Sequence, residues 1–195
     1  MFYNCIKFYV LELDEAKNID FYEFILDEGE EFYTTMYRFK KECINLWFKE
    51  NVKYFGEINS YTDLNLDRNF INSVAENDYT HQELQCHYSA KRITQLYPEV
   101  KYITGFVVRN DYPYSLVTHS FNLFDDKIID LARLDERFGT LEDDDTFPHY
   151  YFGFEIPSAF VKQFENETIE NYSMSPLLFE WFEENNFCEE NEFED

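Results

Sequence analysis

Glycine and proline are scarce, at five residues each in a chain of 195. The five glycines form no run that would cradle a phosphate, so nucleotide binding has no sequence support. Cysteine is also scarce. Cys5, Cys43, Cys86 and Cys188 are spread along the chain with no Cys-x-x-Cys spacing. That argues against a dense disulfide framework and points to a reducing, cytoplasmic compartment. Positive charge is the third shortage: 16 Lys and Arg stand against 40 Asp and Glu, for a net charge of −24. Such a chain repels phosphate backbones and anionic membrane surfaces, which argues against direct binding of DNA, RNA or membrane. No apolar run approaches the ~20 residues that span a bilayer. The opening stretch, MFYNCIKFYVLELD, lacks the basic and apolar regions of a signal peptide.

Aromatic residues are plentiful, with 22 Phe and 16 Tyr. That mass is enough to build a core despite the charge. In the simplest reading the acidity keeps an aromatic-rich chain soluble. The length suits one domain, expected over residues 1–182, followed by an acidic tail at 183–195. Helical and strand-like patterns both occur, so the expected class is α+β, an antiparallel meander packed against helices.

Ile6, Phe8 and Val10 alternate on one side of a strand over 5–13. Phe32, Met36, Phe39, Cys43 and Leu46 recur at steps of three and four, which predicts a helix over 29–50 with one apolar stripe. A short strand at 53–58 and a polar loop at 59–72 follow. These first 75 residues are expected to form a helix-and-strand layer on a core at 80–157. Thr80-His-Gln-Glu83 has the form of a capping box, and Pro98 marks a helix end, so a second helix is expected over 80–97. Its inward face would carry Cys86, Ala90, Ile93 and Tyr97. Strands are expected at 100–109, 114–122, 127–132 and 150–156, with turns at 110–113 and 125–126 and a long acidic loop at 133–149. Short helices at 157–166 and 176–186 complete the pattern.

Among only four histidines, His119 lies on a strand just before a tight acidic turn, and Asp130 lies on the next strand. A four-residue loop at 123–126 would pair Asn122 with Lys127 and set His119 opposite Asp130. Opposed Cβ atoms sit about 4.5–5.5 Å apart, within reach of an imidazole–carboxylate hydrogen bond. The carboxylate would fix the tautomer and leave the other ring nitrogen as a base. Cys86, upstream on a helix that should pack on this sheet, is the candidate nucleophile. A neighbouring imidazole would lower its pKa and shuttle its proton.

The segments QCHYSAKRITQLYPEVKYITGFVV, THSFNLFDDKIIDLA and YYFGFEIP together resemble small bacterial and phage proteins that share a Cys–His–Asp order. That order is similar to the papain-like superfamily, in its transglutaminase-like and NlpC/P60-like branches. The resemblance spans roughly residues 80–157. It implies a papain-like or transglutaminase-like core, with Cys86 as nucleophile, His119 as base and Asp130 as orienter. The implied activity is thiol-dependent hydrolysis or acyl transfer on an amide or ester, with no cofactor.

His81, His87, His119 and His149 have no recognised metal-ligand spacing, so no metal site is expected. The rival reading is non-catalytic: an acidic inhibitor, such as a phage anti-defence protein, a nucleic-acid mimic or an immunity protein, that binds a basic protein partner. The charge and the absence of Lys or Arg after Lys162 favour it. Oligomeric state is not encoded in any pattern found.

Overall fold

The computed structural model describes residues 41–60, 86–109, 115–130, 147–164 and 177–185. The expected strand at 5–13, the first part of the helix at 29–50, the capping box at 80–83, most of the acidic loop and the C-terminal tail lie outside the described residues.

Helix α1 (Lys41–Asn51) leads into strand β1 (Lys53–Ile58). Helix α2 (Cys86–Leu96) leads into β2 (Lys101–Arg109), which is followed by β3 (Ser115–Phe124), β4 (Lys127–Ile129) and β5 (His149–Ile156). Helix α3 (Ser158–Val161), a 3-10 turn at Lys162–Phe164 and helix α4 (Leu178–Glu184) follow. All neighbouring strands pair antiparallel in the order β1-β5-β2-β3-β4. The class is therefore α+β. The expected meander holds for β2-β3-β4, but β5 returns to the far side of β2 and carries β1 on its outer edge.

The sheet curls into a half-barrel. Its period-two alternation separates two packed faces. One face carries Tyr102, Thr104, Phe106, Ser120, Asn122, Phe152 and Phe154, and the helices cover it. Phe48 of α1 is fully buried and packs on Phe106 and Phe154, with ring centroids 5.8 and 6.2 Å away. Burying such a ring contributes about 1.5–3 kcal/mol. The other face holds a core of Ile58, Ile103, Val107, Phe121, Leu123, Ile128 and Tyr151. Phe55 of β1 reaches Phe121 of β3 with ring centroids 5.5 Å apart, so the β1 edge of the sheet leans over this core.

The apolar stripe expected along the first helix needs correcting at Leu46, which is 60% exposed. The buried side of α1 carries Phe48, with Trp47 edge-on to Phe154 at 4.7 Å. Two rings remove more apolar area from water than one leucine, so the helix turns that way.

Gly105 and Gly153 face each other in register across β2 and β5. A Cβ on Gly105 would run into the Phe152 carbonyl and the Gly153 Cα, and a Cβ on Gly153 into the Thr104 carbonyl. Glycine here permits a backbone approach that no side chain would allow. His119 pairs with Gly105 from the other side. His119, Gly105 and Gly153 thus form one lateral row in which only the histidine has a side chain.

Candidate active site

Two residues, Asp125 and Asp126, connect β3 and β4, both with positive φ (49° and 58°). That is the left-handed pair a type I′ turn requires, and aspartate tolerates it better than most residues. The tight turn pairs Phe124 with Lys127, Leu123 with Ile128 and Asn122 with Ile129. The four-residue loop and the pairing of Asn122 with Lys127 are therefore corrected. Extending the observed register sets Asp130 against Phe121, two positions from His119. A shift of two keeps every side chain on its face. Asp130 and His119 consequently still lie on the same side of the hairpin, as diagonal neighbours.

His119 Nε2 and Asp130 Oδ2 are 2.7 Å apart, and both side chains are almost fully buried. Tyr151 donates its hydroxyl to the same carboxylate oxygen at 2.8 Å and lies edge-on to the His119 ring. With Nε2 committed to Asp130, Nδ1 is the nitrogen left for another partner. Cys86 lies close enough to His119 for each to shift the other's pKa. The structure thus brings Cys86, His119 and Asp130 together.

Cys86 reaches this place from the opposite face. Helix α2 packs on the helical face of β3, tied there by Asn122. The Asn122 Nδ2 lies 3.0 Å from the Ala90 carbonyl, 3.0 Å from Thr94 Oγ1 and 3.1 Å from the Lys101 carbonyl. Strand β4 pairs only with residues 122–124, and among the described residues no strand continues along β3 beyond them. The Cys86 end of α2 occupies that unpaired margin. A narrow crevice there, lined by Cys86, Ser89, Ala90, Ser120, Phe121 and Asp130 among others, is too tight to admit water.

Burial opposes ionisation of Cys86, but His87 and His119 outweigh it and hold the thiol well below its ordinary value. Burial likewise opposes charge on His119, but Asp130 and Cys86 outweigh it and raise its pKa to about 9. Both directions favour a thiolate beside an imidazolium, the form in which a cysteine is nucleophilic. Cys86 is a half-buried free cysteine, while His119 and Asp130 beside it are buried.

Sequence reasoning missed four contributors. Tyr151 holds Asp130, Asn122 holds the helix, and Ser120 and Tyr102 form a buried polar pair at 2.9 Å behind α2. A tyrosine at a core-facing position of a strand is a usable signal, because a buried hydroxyl needs a partner. Alternation alone does not reveal which partner. Among the described residues, no three of His, Cys, Asp and Glu come together in a way that would hold a metal ion, and no helix is long and apolar enough to cross a membrane.

Scans against protein-family models, curated proteins and solved structures return no match.

Proposed function

We propose that this chain is a thiol-dependent acyl-transfer enzyme, a hydrolase or acyltransferase acting on an amide or ester. Cys86 is the nucleophile, His119 the general base and acid, and Asp130 the residue that orients His119. One observation carries the reading: a buried imidazole is held through Nε2 by a carboxylate and lies close enough to Cys86 to lower its pKa. A helix-borne cysteine, a strand histidine and an aspartate after the next strand also fit a papain-like or transglutaminase-like core, which is part of the proposal.

The chemistry follows from those positions. The Cys86 thiolate attacks the acyl carbon, and an S–C bond forms as the bond to the leaving amine or alcohol breaks. His119 gives its Nδ1 proton to that leaving group. Water or an amine then attacks the thioester while His119 takes its proton, and the thiolate leaves. Asp130 keeps Nε2 protonated throughout, so Nδ1 is the nitrogen that cycles.

A generic activated ester, p-nitrophenyl acetate, tests the reading without knowledge of the substrate. The expected result is an acetyl adduct on Cys86 by peptide mass spectrometry, with continued release of nitrophenolate. Cys86→Ala should lose both, and His119→Ala should lose turnover by about 10²-fold or more. Undiminished turnover in Cys86→Ala would overturn it.

The second reading rests on charge. With 40 acids against 16 bases, the chain suits a basic protein partner, either as a non-catalytic inhibitor or as an enzyme acting on that protein. Capture of a partner that weakens steeply with salt and is unchanged in Cys86→Ala supports the inhibitor. Capture that requires Cys86 supports the enzyme.

A further inference from the structure

Beneath the Cys86 end of α2 lie polar side chains that the proposed chemistry does not use. His87, Ser120, Thr104 and Tyr102 are all buried. A polar group closed off from water is costly unless it is hydrogen-bonded, and these four bond to one another. Thr104 and Ser120 stand opposite each other in the β2–β3 register, and Tyr102 lies two residues along β2 on the same face. Ser120 is the hub. Its Oγ lies 2.7 Å from His87 Nδ1 and 2.9 Å from Tyr102 OH, and donates to Thr104 Oγ1 at 3.3 Å. The Leu177 backbone N–H, just before α4, donates to Tyr102 OH at 3.4 Å.

The place of this hub in the chain gives it a role. His87 follows Cys86 on α2, and Ser120 follows His119 on β3. One hydrogen bond thus joins the residue after the thiol to the residue after the imidazole, so it spans the two backbones that carry them. Ser120 also lines the narrow crevice together with Cys86 and Asp130. Other ties of α2 act further along. Asn122 meets it at Ala90 and Thr94, and Gln95 Nε2 lies 3.3 Å from the Val161 carbonyl of α3. The His87 contact is made in the first turn, where the thiol is.

We propose that the His87–Ser120 hydrogen bond is the positioning tie of the reaction centre: it sets the backbone of Cys86 against that of His119, and Tyr102 and Thr104 hold the Ser120 hydroxyl where it can make the bond. The role rests on the thiol reading above and deepens it. His87, Ser120 and Tyr102 are positioning residues, acting through Cys86 and His119. The tie fixes place alone, so it requires no particular charge on His87 or on Lys91, the buried lysine one turn further along α2. Nucleophile and base come from different elements, and a displacement of about 1 Å between reacting groups can cost about 10²-fold in rate. A bond between their immediate neighbours limits that displacement at its source.

The test is p-nitrophenyl acetate turnover by the full chain, with acetylation of Cys86 followed by peptide mass spectrometry. Ser120→Ala removes the tie from the sheet side and His87→Leu from the helix side. His87→Asn keeps a hydrogen-bonding atom near the place of Nδ1 but carries no charge. Ser120→Ala and His87→Leu should lower kcat by about ten-fold or more with KM unchanged, the mark of lost positioning in the transition state. His87→Asn should recover most of that rate. Tyr102→Phe, which keeps its ring in the core, should lower kcat in the same direction, and serves if Ser120→Ala does not fold. Gln95→Ala, which loosens the far end of α2, should leave kcat at the wild-type value even where it lowers the melting temperature. Wild-type kcat in Ser120→Ala and His87→Leu, or a His87→Asn as slow as His87→Leu, or an equal loss in Gln95→Ala, would overturn the inference while leaving the triad standing. A wild type that is not acetylated at Cys86 would overturn the thiol reading and the inference with it.

Discussion

His119 and Asp130 are joined by a 2.7 Å hydrogen bond in a setting nearly closed to water, and Cys86 lies close enough to His119 to shift its pKa. The pair of charges this creates has a pH signature. His119, raised from 6.5 to about 9, stabilises the fold fully below pH 6.5 and loses that contribution as pH climbs through about 9. Cys86 has the opposite sign. Its lowered pKa gives stability that is present above the ordinary thiol value of 9.0 and is lost as pH falls through the folded value. Between about pH 6.5 and 9 the folded and unfolded chains each hold one of the two protons, so the two slopes cancel.

Wild-type stability should therefore be nearly level across that window as far as this pair is concerned. In Cys86→Ser the compensating thiol is gone while Asp130 still raises His119, so stability should decline as pH rises from 6.5 toward 9. Urea midpoints for both proteins across the window check this. A difference between them that stays constant with pH would mean the pair is not ionised.

Tyr151→Phe removes one donor to the Asp130 carboxylate and leaves the ring packing on Phe121 intact. Hydrogen bonds to charged groups contribute about 1.5–3 kcal/mol, so a loss of that size is expected in chemical denaturation. Activity should fall less than in Asp130→Asn, because His119 keeps its partner.

Asn122→Ala cuts the tie between α2 and β3 and exposes three acceptors to each other. A loss of about 2 kcal/mol is expected. Asn122→Asp should be worse, since a carboxylate would face the Ala90 and Lys101 carbonyls. Both should slow Cys86 alkylation at pH 6, because the helix that positions the sulfur is no longer held.

Replacing Asp125-Asp126 with Asn-Gly should stabilise the hairpin. Both positions need positive φ, and Asn-Gly adopts it with less strain. A gain of about 1 kcal/mol, seen as a higher melting temperature, is expected. An unchanged or lower value would mean that the aspartates make contacts that offset their strain.

Much of this architecture is legible in the chain. The α+β class and the strands from 100 onward follow from alternation and turn residues, and Pro98 sits just past the end of α2 as its chemistry requires. The β3–β4 register is more instructive. The loop length assumed from sequence is two residues too long, yet His119 and Asp130 still meet, because a shift of two preserves the face and a shift of one would not. Parity survives an error that exact pairing does not. Leu46 shows the opposite case. Its spacing fits the stripe of the first helix, but Phe48 and Trp47 compete for the same surface with larger rings, and that competition is settled by the sheet they meet. Tyr151, Asn122 and Ser120 were not legible as site residues. Alternation places them on a face, whereas their roles come from partners 21 to 33 positions away in the chain, of which spacing carries no trace.

The tight β3–β4 hairpin has a consequence for how the site comes together in time. His119 and Asp130 are 11 positions apart, whereas the contact that ties α2 to β3, Asn122 to Ala90, spans 32. Closing the longer loop costs about 1 kcal/mol more in chain entropy. Hairpins form within microseconds. The imidazole–carboxylate pair is therefore the cheaper of the two contacts to close. On the proposed role of Cys86, its reactivity would belong to the finished fold, with α2 seated, and not to the hairpin alone.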